Sequence, residues 1–209
     1  MTTEAAETKT EIRSRHRLAR ALQAGGDHTT FAEGLAQHGV AWAGSVASPG
    51  FEWFAVYLGV GTEPPTSRLV ESLNSHGYRV LLPVCEPGRR LLWVEWTPQS
   101  TFARSRFAPI LEPVGPRLDL ADSTAELPGG TGLAGIILPA TAVDRSGNRI
   151  GQGGGYYDAF LAALEEQGNI PPTVAVVYDD EVLPPGAIPA EPFDMKVQGA
   201  LTPGGLVTF

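Results

Sequence analysis

Two segments of this chain carry a helical pattern between two apolar stretches, and this alternation most constrains how the chain can fold. In the first segment, the stretches 52–58 and 79–83 flank a helix opened by Pro64 and Pro65. Residues 133–178 repeat the same order. A strand, a helix and a strand in this order form a right-handed unit with two parallel strands. Two such units predict a three-layer α/β/α sandwich with a mainly parallel, Rossmann-like sheet.

The remaining stretches are less regular, and none of them requires a second domain. Helices are predicted at about 8–22 and 31–38, and a strand nearer the sheet edge is predicted at 91–96. Residues 97–132 are rich in proline and lack periodicity, so we predict a long surface connection there. Such a segment either wraps a site as a lid or is a plain excursion. Without repeats or low-complexity tracts, we expect a single domain over residues 1–209.

The charge balance argues against partners that bind through a positive surface. The 15 lysines and arginines stand against 23 aspartates and glutamates, which gives a formal net charge of −8. Nucleic acids and anionic membranes need clustered positive charge, so we expect neither as a partner. The first predicted helix is the local exception, and we expect most of its arginines, such as Arg15, Arg17 and Arg20, to form a solvated face.

Cysteine content and hydropathy indicate the cellular compartment of the protein. Cys85 is the only cysteine, which excludes a disulfide within the chain and a thiolate metal cluster. No stretch is apolar over the length of a membrane span, and residues 1–9 lack the apolar core of a signal peptide. We therefore expect a cytoplasmic protein.

The stretch between the first strand and the helix of the second unit has the composition of a phosphate-binding turn. Glycines at 151 and 153–155 permit positive φ and keep Cβ atoms away from anything that the backbone N–H groups approach. The helix that follows would direct its partially positive N-terminus at an anion. Arg149 adds a full positive charge, and Asp158 offers an oxygen ligand to Mg²⁺. Because glycines alone often only turn a corner, the hypothesis depends on their combination with these charged residues.

Residues 147–158, with the sequence GNRIGQGGGYYD, resemble the signature of the 5-formyltetrahydrofolate cyclo-ligases, also called 5,10-methenyltetrahydrofolate synthetases. Further stretches match the family in the same order, at residues 9–13, 57–63 and 193–197. The glycine signature and the block at 193–197 are the specific matches. The resemblance implies a monomer whose fold is related to that of sugar-phosphate isomerases and CoA-transferases.

The resemblance also implies a reaction. It is the ATP-dependent cyclisation of 5-formyltetrahydrofolate to 5,10-methenyltetrahydrofolate, with release of ADP and phosphate. Phosphorylation of the formyl oxygen would create an iminium phosphate that the neighbouring amine attacks. The implied co-substrate is therefore ATP, the implied metal ion is Mg²⁺, and the implied substrate is a reduced folate.

Each matching residue acquires an implied role. The nucleotide would be bound by Lys9, Arg13, Arg149, Ile150, Gly151, Gln152, Gly153, Gly154, Gly155, Tyr156 and Tyr157. The folate would contact Arg13, Leu58, Glu63, Gln152, Gly153, Gly154, Gly155 and Tyr156. The metal ion would be bound by Asp158 and Asp194, and the catalytic residues would be Arg149, Tyr156 and Asp158.

Some of these residues also have an ordinary structural interpretation. One of the two adjacent tyrosines is as readily a core residue. Taken alone, Glu63 would be an exposed glutamate and Asp194 would belong to an acidic surface turn. We expect Asp144 to orient the glycine turn by accepting backbone N–H groups, without touching a ligand.

Three other functions stay open at this point. These are the functions of a diverged family member with another substrate, of a relative of the sugar-phosphate isomerases or CoA-transferases, and of a non-catalytic binder of folate or nucleotide. Gln152 and Gly154 stand where some family members carry Arg and Lys, so the site has less positive charge than theirs. Fold and motif do not by themselves decide among these functions.

Overall fold

The computed structural model describes residues 7–23, 28–122, 127, 132–168 and 170–209, and it has an α/β architecture. The helices are α1 (Lys9–Gln23), α2 (Thr29–Val46), α3 (Ser67–Ser75) and α4 (Tyr156–Glu166), with 3₁₀ turns at Pro87–Arg89 and Asp179–Glu181. The strands are β1 (Phe51–Ala55), β2 (Arg79–Glu86), β3 (Arg90–Trp96), β4 (Thr101–Arg104), β5 (Leu111–Val114), β6 (Gly132–Pro139), β7 (Ala142–Asp144), β8 (Arg149–Ile150), β9 (Thr173–Val176), β10 (Val182–Leu183), β11 (Gly199–Thr202) and β12 (Gly205–Thr208). Within these described ranges, no helix is both long and apolar enough to cross a membrane.

A seven-stranded sheet forms the middle layer, in the order β12-β11-β9-β6-β1-β2-β3. The inner strands β11, β9, β6, β1 and β2 are parallel to one another. The edge strands β12 and β3 are antiparallel. Both predicted strand–helix–strand units are present, as β1–α3–β2 and β6–α4–β9. The predicted α/β class and the edge position of β3 are confirmed.

Side chains on successive positions of the inner strands enter two different apolar clusters. Trp53 and Ile136 belong to the cluster on one face of the sheet, whereas Phe54 and Ile137 belong to the cluster on the other. All four side chains are at most 1% exposed. Because both faces are buried, the buried positions of β1 and β6 are apolar in succession and do not alternate with polar residues.

The helices cover the two faces of the sheet. The cluster on one face receives side chains of α2 and α3, including Leu69, and the opposite cluster receives Phe160 of α4. The end of α3 agrees with the prediction: Gly77 has φ +90°, and the Tyr78 N–H donates to the Leu73 carbonyl at 3.1 Å. A glycine in this conformation with this hydrogen bond is a common helix stop.

The second helix, α2, is longer than predicted. The prediction was too short because the glycines inside α2 resemble helix breaks in the sequence. Two of them are contact points. A Cβ atom on Gly39 would lie 2.3 Å from Leu69 Cδ1, and one on Gly34 would lie 2.2 Å from the carbonyl oxygen of Pro203. The glycines therefore let α2 approach α3 and the β11–β12 turn closely.

The predicted surface connection at 97–132 contains regular structure in its first half, which the sequence did not indicate. Strands β4 and β5 form an antiparallel hairpin, and Leu118 pairs with Trp93 of the main sheet. Strand β4 is exposed at every position, so it has no apolar alternation by which it could be predicted. Residues 123–126 and 128–131 of the predicted connection lie outside the described residues.

The hairpin β11–β12 also extends the sheet beyond the predicted elements. Strand β11 pairs in parallel with β9, and β12 forms the edge. Each strand has only four residues, and β12 has no buried position. Strands this short carry too little pattern for prediction from sequence.

Candidate active site

A small hairpin separates β6 from the glycine turn, by which we mean residues 151–155. Strands β7 and β8 pair antiparallel, and β10 pairs in parallel with β7. The sequence predicts the turn between the β6 strand and the α4 helix, but it gives no sign of the hairpin that also lies there. Gly147 belongs to the β7–β8 connection, and only the glycine turn itself leads into α4.

Asp144 accepts backbone N–H groups, as predicted, but it organises the β7–β8 connection and not the glycine turn. The Asp144 side chain is completely buried. Its Oδ1 accepts the N–H groups of Ser146 at 2.9 Å and Asn148 at 3.1 Å. Its Oδ2 accepts the Asn148 side-chain amide at 3.0 Å and the Ile188 N–H at 3.1 Å. Both carboxylate oxygens are therefore used by the protein, and Asp144 is a structural residue.

The glycines of the turn serve two purposes. Gly153 and Gly155 have φ of +95° and +70°, and Gly155 is the N-cap residue of α4. Gly154 has ordinary φ, but a Cβ there would lie 3.1 Å from the Tyr156 ring. Positive φ is thus needed at two of the four predicted positions, because Gly151 also has ordinary φ. The resulting turn presents backbone N–H groups at the positive end of α4.

One face of α1 lies against the turn. Arg13 Nε donates to the Gly151 carbonyl at 2.9 Å, and Arg17 Nε donates to Gln152 Oε1 at 3.1 Å. Lys9, one helical turn before Arg13, forms ion pairs of 2.9 Å with Glu191 and 2.5 Å with Asp194. Burial lowers the pKa of the Lys9 ammonium, but these two carboxylates outweigh it and the pKa is raised. The structure therefore brings three cationic groups to one side of the turn.

The buried side chain of Arg149 also belongs to the site. Its side chain is 5% exposed, and Nη2 lies 2.6 Å from Asp158 Oδ1. Burial lowers the pKa of the guanidinium, and the Asp158 carboxylate opposes this effect. The Nε atom of Arg149 is buried and has no hydrogen-bond partner among the described residues. A charged donor that the protein leaves partly unsatisfied is typical of a ligand-binding group.

The two aspartates predicted to bind the metal ion occupy neighbouring places. The N–H of Met195, the residue after Asp194, donates to Asp158 Oδ1 at 3.2 Å. Asp194 Oδ2 accepts Lys9 and the Glu191 N–H, which closes an acidic turn as the ordinary interpretation expects. In the part of the chain that the structure describes, the second oxygen of each carboxylate has no hydrogen-bond donor.

The segment after β1 approaches the turn from the opposite side. Gln152 Nε2 lies 3.5 Å from Glu63 Oε1, and Glu63 Oε2 accepts the Val60 N–H at 3.1 Å. Burial raises the pKa of the Glu63 carboxyl. Leu58 packs instead on the apolar cluster that holds α2 and α3. The structure therefore joins Glu63 to the turn, and it shows no such contact for Leu58.

Three predicted residues have side chains that belong to the core in whole or in part. Ile150 is 1% exposed and packs with Ile12 of α1, so only its backbone can contact a ligand. Tyr156 and Tyr157 are both partly buried against the cluster under α4. The Tyr157 hydroxyl is buried without a hydrogen-bond partner among the described residues, and burial raises its pKa.

Several residues near the turn were not predicted from sequence. A Cβ at Gly155 would lie 3.4 Å from Arg89 Cδ, so Arg89 adds a further cation beside the turn. The Tyr57 hydroxyl is buried without a partner among the described residues, and burial, aided by the nearby Glu63 carboxylate, raises its pKa. Arg89 follows Pro87 and Gly88 in a hairpin. A basic residue is common in such a position, so the sequence around Arg89 does not mark it as a site residue.

These features define a class of protein: an α/β fold with a cation-lined, glycine-rich turn beyond the carboxyl ends of its parallel strands, where such folds bind ligands. The comparisons with known proteins make the assignment specific. The model of the 5-formyltetrahydrofolate cyclo-ligase family matches residues 5–203, and the chain belongs to this family.

Relatives and solved structures agree with this membership. A 5-formyltetrahydrofolate cyclo-ligase of Mycolicibacterium smegmatis is 38% identical over 152 residues, which cover 70% of this chain and 71% of the relative. The Escherichia coli enzyme of the same name is 33% identical over 151 residues, covering 71% and 76%.

The 5,10-methenyltetrahydrofolate synthetases of Aquifex aeolicus and Mycoplasma pneumoniae share the fold. Their TM-scores are 0.67 and 0.65, at 21% and 17% identity. The alignments cover 96% of this chain and 92% of the first structure, and 94% of this chain and 99% of the second.

Proposed function

We propose that the protein uses ATP to cyclise 5-formyltetrahydrofolate to 5,10-methenyltetrahydrofolate, releasing ADP and phosphate. Membership of the cyclo-ligase family supports the reaction, since the family is ATP-dependent. The observation that carries the proposal is the glycine turn with its surrounding cations, because this chemistry depends on holding and transferring a phosphoryl group.

The reaction has to activate an oxygen that is a poor leaving group. The formyl oxygen of the substrate attacks the γ-phosphorus of ATP, and the bond between that phosphorus and ADP breaks. The secondary amine of the folate then attacks the activated formyl carbon and loses its proton. The carbon–oxygen bond breaks last, so phosphate leaves and the ring is closed. Catalysis of the first step depends mainly on positioning and on neutralising phosphate charge.

Residues around the turn are suited to those two tasks. The backbone N–H groups of residues 151–155 and the guanidinium of Arg149 would neutralise charge on the transferred phosphoryl group. Lys9 and Arg13 would hold the nucleotide phosphates, and Arg13 also fixes the turn through the Gly151 carbonyl. Tyr156, at the start of α4, would line the reacting end of the folate.

Asp158 and Asp194 fit a magnesium ion that shares ATP as a ligand. Among the described residues, no group of three or more His, Cys, Asp or Glu side chains is arranged to hold a metal ion. Mg²⁺ commonly takes only one or two carboxylates and completes its shell with phosphate oxygens and waters. Each of the two aspartates has one carboxylate oxygen without a donor in the described part of the chain. Bound there, the ion would neutralise phosphate charge.

Glu63 would recognise the pterin end of the folate. Its carboxylate is held beside the turn by Val60 and Gln152. A carboxylate accepts two hydrogen bonds side by side, which matches the adjacent N–H groups of a pterin edge. The buried hydroxyls of Tyr57 and Tyr157 would donate to the same ligand, because neither has a partner among the described residues.

The decisive experiment follows the near-ultraviolet absorbance of methenyltetrahydrofolate during incubation with 5-formyltetrahydrofolate, Mg²⁺ and ATP. An ATP-dependent rise is expected. Asp158→Asn should reduce the rate about 100-fold or more, because an amide retains an acceptor for Arg149 but loses the charge that attracts the cation. Glu165→Gln, which removes an exposed carboxylate from the same helix, should leave the rate unchanged.

A magnesium titration separates the two roles of Asp158. Excess Mg²⁺ should restore part of the Asp158→Asn activity if the residue binds the ion, and should have no effect if the residue only orients Arg149. A folded wild-type protein that binds ATP but produces no absorbance rise would contradict the proposed reaction and favour a non-catalytic binder or another substrate.

The remaining expectations are part of the same proposal. We place the enzyme in the cytoplasm as a monomer that forms one domain over residues 1–209, with no nucleic acid or membrane partner. The family match over residues 5–203 supports the single domain, and the net charge of −8 argues against a polyanionic partner.

A further inference from the structure

The connection between β2 and β3 has a strained backbone at Arg89. This residue has φ +62°, and in the part of the chain that the structure describes it is the one residue other than glycine with positive φ. The Cβ atom crowds its own backbone in this region, so the conformation suits glycine or asparagine better than arginine. Residues held in such conformations cluster at functional sites, where the side chain has a task that the strain does not outweigh.

The side chain of Arg89 lies against the end of the glycine turn. Its Cδ, Nη1 and Nε atoms are 3.4, 3.5 and 3.6 Å from the position that a Cβ atom would take on Gly155. Gly155 is the N-cap residue of α4, and the first N–H groups of a helix have no partner within the helix. The guanidinium of Arg89 is therefore placed beside backbone donors that also favour an anion.

The donors of Arg89 are not used by the protein. Arg89 is exposed and makes no hydrogen bond or ion pair within the described ranges, whereas Nη2 of the neighbouring Arg90 lies 2.5 Å from Asp119 Oδ2. The buried Nε of Arg149 likewise lacks a partner among these residues, and its Nη1 lies 3.9 Å from the Cβ position of Gly151. Two guanidinium groups with unused donors thus converge on the glycine turn from different elements.

Arg89 and the cations of α1 lie at opposite ends of the glycine turn. Arg13 bonds to the Gly151 carbonyl at the start of the turn, whereas Arg89 lies against Gly155 at its end. Tyr156, which would line the reacting end of the folate, follows directly. With the nucleotide phosphates held by α1, Arg89 is on the side of the turn where the acceptor oxygen of the folate would lie.

We propose that Arg89 is a further catalytic residue, which binds the transferred phosphoryl group from the side of the acceptor oxygen. This inference rests on the proposed function. The bond from the formyl oxygen to phosphorus forms while the bond from phosphorus to ADP breaks. During this step the planar guanidinium donates two hydrogen bonds to oxygens of the transferred group. Arg89 gives up no proton.

The same contact serves the second half of the reaction. When the secondary amine closes the ring, the carbon–oxygen bond breaks and its electron pair leaves with the phosphate. The guanidinium of Arg89 then stabilises the negative charge that develops on the departing group. These hydrogen bonds strengthen as the phosphoryl group moves towards the folate, so they stabilise the transition states more than they stabilise bound ATP. Arg89 should therefore act on kcat and not on the KM for ATP.

The test compares the steady-state kinetics of the wild type, of Arg89→Gln and of the control Arg90→Gln. Arg89→Gln should lower kcat about 100-fold, since the loss of a donor to a developing charge has an effect of this size. Its KM for ATP should change by less than about threefold. Arg90→Gln removes the neighbouring charge, which is already paired with Asp119, and should keep the wild-type kcat.

Arg89→Gly separates catalysis from a structural role in the connection. Glycine adopts positive φ without strain, so this variant should unfold at the same urea concentration as the wild type or at a higher one. Its kcat should nevertheless fall as far as that of Arg89→Gln. Guanidinium chloride, at concentrations far below those that unfold the protein, should restore part of this kcat, whereas sodium chloride at the same concentration should not.

The results that would overturn the role of Arg89 differ from those that would refute the proposed function. The role is overturned if Arg89→Gln keeps its kcat, or if only its KM for ATP rises, because Arg89 would then at most hold the nucleotide. It is also overturned if Arg89→Gly is less stable than the wild type and guanidinium does not restore its kcat. A wild type that binds ATP but forms no product would refute the proposed function, and the role of Arg89 with it.

Discussion

Replacing Glu181 with glutamine should destabilise the protein strongly, because it leaves the guanidinium of Arg20 buried without a counter-ion. The two side chains are only 2% and 3% exposed. Arg20 Nε lies 2.6 Å from Glu181 Oε1, and Arg20 Nη2 lies 2.7 Å from Oε2. Nη2 also donates to the Ala140 carbonyl, and Oε2 also accepts the Tyr178 N–H. The pair therefore ties α1, which carries Lys9 and Arg13, to the end of β6.

The size of the effect follows from these contacts. In Glu181→Gln, the amide oxygen can keep the place of Oε2 and its two donors, but the NH₂ group then faces the Arg20 Nε–H. One hydrogen bond is replaced by a contact between two donors, and the buried positive charge is no longer balanced. Breaking a buried ion pair by removing one partner costs about 3–5 kcal/mol. With a urea m-value of about 2 kcal/mol/M, the midpoint should fall by roughly 1.5–2.5 M.

Urea unfolding followed by tryptophan fluorescence measures this loss. Glu33→Gln is the matched control, because Glu33 pairs with Arg68 at 3.7 Å and both side chains are 56% exposed. That change should alter the free energy of unfolding by less than about 1 kcal/mol. If Glu181→Gln behaves like the control, the buried pair does not anchor α1 and our reasoning is refuted.

Two further predictions concern the pH dependence and the glycine turns. Burial raises the pKa of Glu63, so kcat/KM for the folate should fall as pH decreases through that raised pKa. Glu63→Gln should be less active, and its kcat/KM should not show this fall at low pH. The free wild-type protein should gain stability over the same pH decrease, since its folded state favours the protonated Glu63 carboxyl. If the wild type and Glu63→Gln show the same fall of kcat/KM at low pH, Glu63 is not its cause. Gly147→Ala should lower the free energy of unfolding in urea by about 1–3 kcal/mol more than Gly168→Ala does. Both glycines have positive φ, but only at Gly147 would the new Cβ meet a backbone atom, the Val197 carbonyl oxygen, at 2.5 Å. Equal costs would show that the Val197 segment moves aside freely.

The parts of the fold that could be predicted are those whose signal is local. The buried positions of β1 and β6 are apolar in succession, and α3 carries Leu69, Val70 and Leu73 on one face before its glycine stop. Such patterns need no knowledge of distant residues, because burial on both faces of a sheet or on one face of a helix repeats along the chain. The hairpin β4–β5 lacks that signal, since its exposed strand has no buried face to mark.

The candidate site divides in the same way. The glycine turn, Arg149 and Asp158 lie within ten residues of one another and form a motif that can be read in the sequence. The sequence also suggests that Glu63 and Asp194 take part, through a family resemblance. It does not reveal that Arg149 is paired with Asp158, or that Arg89 lies against Gly155.

The sequence by itself determined the two parallel strand–helix–strand units and the glycine turn, because each depends on side-chain periodicity or on glycine within a short stretch. Only the tertiary structure decided which charges are buried and which are free. Arg20 was expected in solvent but is buried against Glu181, 161 positions away in sequence, whereas Arg104 and Arg106 line a cavity and have no partner among the described residues. Nothing near Arg20 in sequence marks this difference, because the fate of a charge depends on which distant side chain folding places beside it.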